Sequence, residues 1–152
     1  MDALDDFSLT IQPAAAHAGV ETSAVSRHLP IFRRCVGQRD TPVLVARCSS
    51  ADPRSRALGR RRRDMLLLTR HRLVVTAECG LLRRLRLYLN CDLRDLGDVT
   101  WIPEPARGGI RLAATAVDGV RERFWLDAGS PDRVRHLDAV LRQLFGSVTA
   151  TA

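Results

Sequence analysis

From residue 42 onward the apolar residues recur with a period of two, in short runs separated by turn signals, and this pattern restricts the chain to a sheet-based fold. The cleanest run is Arg84-Leu-Arg-Leu-Tyr-Leu89. There Leu85, Leu87 and Leu89 are expected inward and Arg84, Arg86 and Tyr88 outward. Six further runs read as strands: Thr41 to Arg47, Met65 to Thr69, Arg72 to Ala77, Val99 to Ile102, Ile110 to Ala116 and Arg121 to Leu126. Met65-Leu-Leu-Leu-Thr69 is apolar on both sides, so both of its faces should be covered. Arg70-His71, Gly80, Gly108-Gly109 and Asp118-Gly119 mark turns, and Pro103 and Pro105 break the chain. A helix closes this series. Ser130 suits its N-cap, Pro131 its first position and Asp132 the positive end of its dipole. Val134, Leu137, Val140, Leu141, Leu144 and Phe145 form one stripe, and Gly146 is the expected stop.

The first 36 residues follow a different rule. Residues 1–12 are polar and acidic and read as a loose tail. Val25, Leu29, Phe32 and Val36 then lie on one helical face. Pro30 lacks an N–H and disfavours helical angles at Leu29, which predicts two short helices, about 22–28 and 30–36, ended by Gly37. The expected organisation is a tail with a helical extension over 1–39, a sheet domain over 40–146, and a disordered tail over 147–152.

Composition narrows the chemistry. The 24 basic residues are all Arg, which excludes a phosphate-loop lysine, a Schiff-base lysine and a Ser-x-x-Lys nucleophile. No His-Glu-x-x-His, Gly-x-Ser-x-Gly or Gly-rich nucleotide loop occurs, so no enzyme and no cofactor is expected. Cys35, Cys48, Cys79 and Cys91 match no zinc spacing and read as free thiols. Asp92, Asp95 and Asp98 recur every three residues, but they read as the solvated face of a turn. Trp101 and Trp125 read as packing residues. The net charge of +7 favours anionic partners. The acidic start and the lack of any apolar run near the ~20 residues of a membrane span suggest a cytoplasmic protein, at most peripheral to a membrane.

Leu66-Leu-Leu-Thr-Arg-His-Arg-Leu-Val-Val-Thr76, together with Phe124-Trp125-Leu126 and the capped helix after it, resembles a bacterial pleckstrin-homology-like domain of the GRAM-related kind over about 40–146. The resemblance implies a mainly β (α+β) fold: a seven-stranded, bent antiparallel sheet or partial barrel capped by the C-terminal amphipathic helix. It also implies a non-catalytic binding module. In headgroup-binding members, basic residues of the first strand, the first loop and the start of the second strand hold the ligand. Arg61-Arg-Arg63-Asp64-Met65-Leu66 is similar to the second half of that signature, with Arg47 upstream across a longer gap. Arg54, Arg56, Arg60, Arg61, Arg62 and Arg63 crowd into ten residues, and Arg83 and Arg84 follow the Gly80 turn. Guanidinium groups hold phosphate in a bidentate manner. A protein partner or anionic membrane lipid is the expected ligand.

A second resemblance points to nucleic acid. Ala18-Gly19-Val20 and Ala24-Val25-Ser26-Arg27 are similar to the turn and recognition-helix start of the lactose-repressor family, within residues 10–29. On that reading Ser23, Ser26, Arg27 and His28 would face DNA.

Overall fold

The computed structural model describes residues 3–37, 40–50, 64–79 and 84–149. All seven expected strands form: β1 (Pro42–Ser50), β2 (Asp64–Thr69), β3 (Arg72–Cys79), β4 (Arg84–Asp92), β5 (Gly97–Glu104), β6 (Gly109–Thr115) and β7 (Arg121–Asp127). They make one antiparallel sheet in the order β4-β3-β2-β1-β7-β6-β5, with β4 and β5 as its free edges. The fold is mainly β with α helices on both faces.

Residues opposed across an antiparallel ladder share a face. One face therefore carries Leu44, Ala46 and Cys48 of β1, Leu66 and Leu68 of β2, Leu73 and Val75 of β3, Phe124 and Leu126 of β7, and Ile110 and Leu112 of β6. All are buried. The sheet folds over this inner face. Tyr88 of β4 meets the edge of the Phe124 ring at 6.3 Å and donates its hydroxyl proton to Glu122 Oε2 at 2.9 Å. The C-terminal helix α3 (Pro131–Thr149) fills the remaining opening. Val134, Leu137, Leu141 and Phe145 are buried there. Trp101 of β5 donates Nε1–H to Asp138 Oδ1 at 2.8 Å, and its ring lies 6.2 Å from Phe145. Gly146 does not stop this helix, which runs on to Thr149. A glycine ends a helix by adopting positive φ, and Gly146 does not.

The other face of β1 to β3 is covered by the N-terminal helices, α1 (Ala3–Ala16) and α2 (Thr22–Cys35). This is why Val45, Leu67 and Val74 are buried as completely as their inner-face neighbours. Two expectations fail here. Residues 3–12 are helical rather than a loose tail, and Ile11, Ala14 and Ala15 are buried. Ile11 is the large anchor of α1, and the small side chains of Ala14 and Ala15 let the helix lie close to the sheet. Pro30 also leaves α2 unbroken. Pro30 and Ser26, whose carbonyl the missing N–H would have bonded, are both exposed, so water can satisfy that oxygen. Val25 and Phe32 are buried on the opposite side. At the α1–α2 turn Gly19 has φ +72°, and the Arg133 guanidinium of α3 packs against it. The His17 ring stacks on His136 of α3 at 4.2 Å.

β4 departs from strict alternation. Val75 opposes Leu89 but Thr76 opposes Leu87, so Tyr88 is an extra residue in the ladder. Such a bulge flips the facing of everything before it. Leu87 is therefore exposed instead of inward, and Tyr88 turns to Phe124 instead of outward.

Candidate functional site

Strand register decides which connections meet. Ser50 opposes Phe124, Cys48 opposes Asp64, and Cys79 opposes Arg84. The end of β1, the starts of β2, β4 and β7, and the end of β3 thus lie at one end of the sheet. The connections 51–63 and 80–83 and the β6–β7 turn at 116–120 all leave from this end. α3 packs near the 3-10 turn Pro105–Arg107, which joins β5 to β6 at the other end.

The sequence places Arg54, Arg56, Arg60, Arg61, Arg62, Arg63 and Arg83 in those two connections, outside the described residues. Arg84 is exposed at the start of β4, with Arg86 exposed two residues on. Arg47 is exposed and opposes both Met65 and Asp127, which puts it on the outer face and not the inner one.

The β6–β7 hairpin is the part of this end that the sequence reading passed over. Val117 is 75% exposed and Val120 49% exposed at its tip. Three of its backbone N–H groups are bonded within the turn: Gly119 N–H donates to Ala116 O, Ala116 N–H to Val120 O, and Val120 N–H to the Asp118 side chain, at 2.9, 2.9 and 3.0 Å. Gly119 takes φ +83°, which the tight turn requires. Arg121 anchors the hairpin base, donating to Asp98 O, Thr115 Oγ1 and Thr100 Oγ1 at 3.0 to 3.1 Å. Arg123 is exposed on the same face. The sequence carries two valines flanking Asp118-Gly119, but no local signal marks them as exposed.

Beneath this end, α2 clamps the tail of β3. Arg27 Nη2 pairs with Glu78 Oε1 at 3.3 Å, and Asp64 Oδ1 accepts the Glu78 backbone N–H at 3.2 Å. Glu78 Oε2 is buried without a hydrogen-bond partner. His28 Nδ1 lies 2.5 Å from Thr76 Oγ1, and the ring is buried. Burial lowers the His28 pKa to about 4, with the Arg27 charge adding to the shift and Glu78 opposing it. Of the four residues proposed to face DNA, Ser23 and Ser26 are exposed, Arg27 is paired to the sheet, and His28 points into the protein. His28 was legible as polar, but its direction depends on where α2 docks.

The remaining candidates have structural employment. Burial raises the thiol pKa of Cys48, Cys35 and Cys91, which favours their protonated form. Asp92 accepts the Arg94 N–H at 3.0 Å and caps the 3-10 turn Leu93–Asp95. Among the described residues no three His, Cys, Asp or Glu side chains could hold a metal ion together. Trp125 lies flat on Gly109, where a Cβ would come within 2.2 Å of its ring, and the Arg107 guanidinium sits 5.6 Å above it. No helix among the described residues is long and apolar enough to cross a membrane. No family model and no curated protein matches this chain.

Proposed function

We propose that the protein is a non-catalytic binding module that docks onto anionic lipid headgroups through the end of the sheet that carries the 51–63, 80–83 and 116–120 connections. One observation carries this reading. The strand register puts the end of β1, the start of β2, the end of β3 and the start of β4, between which the sequence carries Arg54 to Arg63 and Arg83, at the same end as Arg84 and the exposed apolar hairpin. A surface that is both cationic and apolar suits a lipid interface, where each basic residue adds about 1 kcal/mol. The resemblance to pleckstrin-homology-like domains points to the same end and the same absence of catalysis. The overall charge of +7 supplies long-range attraction to an anionic surface.

Sedimentation with phosphatidylserine-rich vesicles, phosphoinositide-doped vesicles and neutral phosphatidylcholine vesicles tests it. Binding to the anionic vesicles only, weakening as salt rises, is expected. Arg61→Ala with Arg63→Ala should remove phosphoinositide binding far more than Arg54→Ala with Arg56→Ala. No binding at low salt overturns the lipid reading in favour of a protein partner. A duplex-DNA gel shift on the same samples separates lipid from nucleic acid.

A further inference from the structure

We infer that the β6–β7 hairpin is a membrane-entering wedge: Val117 and Val120 partition into the boundary between headgroups and acyl chains while the neighbouring arginines stay among the phosphates. The inference deepens the lipid reading above and rests on it.

Exposure carries the first half of the argument. Val117 is 75% exposed and Val120 49% exposed, among the largest apolar exposures of the described residues. A two-residue apolar tip is too narrow to form a protein interface of ordinary size, but it suits entry between lipids. Backbone chemistry carries the second half. Polar backbone groups oppose entry into an apolar phase unless they are already bonded. Here the Ala116, Gly119 and Val120 N–H groups are all used within the turn. The hairpin can therefore leave water without losing these bonds, and it need not change shape. Its base is held rigid by the three hydrogen bonds of Arg121, so the tip is presented at a fixed angle.

Charge placement sets the depth. Arg121 and Arg123 follow the tip on β7, and Arg84 and Arg86 begin β4, which Tyr88 and Glu122 tie to β7. These cations flank the apolar tip at headgroup level. Asp118 is the opposing feature. Its exposed carboxylate lies between the two valines and bonds the Val120 N–H. An ionised carboxylate resists entering hydrocarbon, so the tip stops at the interface rather than passing deeper.

The test uses the full chain on phosphatidylserine-rich vesicles for affinity and on anionic lipid monolayers for insertion. The wild-type protein should bind the vesicles and raise the surface pressure of the monolayer. The double variant Val117→Ser, Val120→Ser alters only exposed positions. It should keep salt-sensitive binding, lose at least about tenfold in affinity, and lose the pressure rise. Asp118→Asn retains an oxygen for the Val120 N–H and should increase both affinity and pressure rise. If the serine variant binds and inserts like wild type, the wedge is wrong and the lipid reading stands. If wild type ignores the vesicles, the lipid reading and the wedge fail together.

Discussion

The two helices that frame the sheet, α3 on the inner face and α2 on the outer, are held by different means. α3 carries its own start signals. Ser130 Oγ accepts the Arg133 N–H at 3.3 Å, Pro131 takes the first position, and Asp132 sits in the first turn. α2 begins at Glu21 with no side-chain cap, has no acid in its first turn and contains Pro30. It exists because it docks. Phe32 and Val25 are buried, His28 meets Thr76, and Arg27 pairs with Glu78. The difference shows that a helix with weak local signals can still be a full part of the core when the sheet supplies the missing stabilisation.

The largest expected effect tests the inner cover. Leu141 is fully buried, so Leu141→Ala should lower unfolding free energy by about 2–5 kcal/mol in urea titrations. A change under about 1 kcal/mol would mean that α3 does not fill the sheet opening.

Acid tests the outer cover. The folded pKa of His28 is about 4, below its ordinary 6.5, so the unfolded chain takes up the proton first. The stability held by neutral His28 is complete above pH 6.5 and is lost as pH falls from 6.5 toward 4. The loss should be roughly 2–3 kcal/mol, seen as wild type minus His28→Gln in urea titrations across that window. Amide exchange should accelerate in α2 before α3. Identical pH profiles for the two proteins would show that His28 does not hold α2 down.

Caps give the smallest and most direct contrast. Ser130→Ala should cost about 1 kcal/mol of thermal stability, whereas Glu21→Ser should add a few tenths or more by giving α2 the cap that it lacks. Equal and negligible effects would erase the distinction between the helices.

The residues that announced themselves were those whose local pattern and tertiary role agree. Period-two runs became strands, and Asp118-Gly119 became a hairpin, because alternation and turn chemistry act over a few residues. The candidate site was legible as a charge cluster but not as a shape. Nothing local to Arg47 shows that it faces away from the inner side, and nothing local to Val117 shows that it is exposed. The bulge at Tyr88 reversed the facing of Leu87 through a one-residue slip that the alternation in β4 conceals.

By itself, the sequence determined seven strands, their turns and a capped C-terminal helix, since backbone geometry and short-range hydrogen bonding select these from neighbouring residues. Tertiary structure alone decided that an alanine-rich segment with an internal proline would be helical, that His28 would be buried, and that the connections at 51–63, 80–83 and 116–120 would leave from one end. Each of these depends on residues far apart in the chain. Burial and register are properties of the assembled sheet, and no window of neighbouring residues contains them.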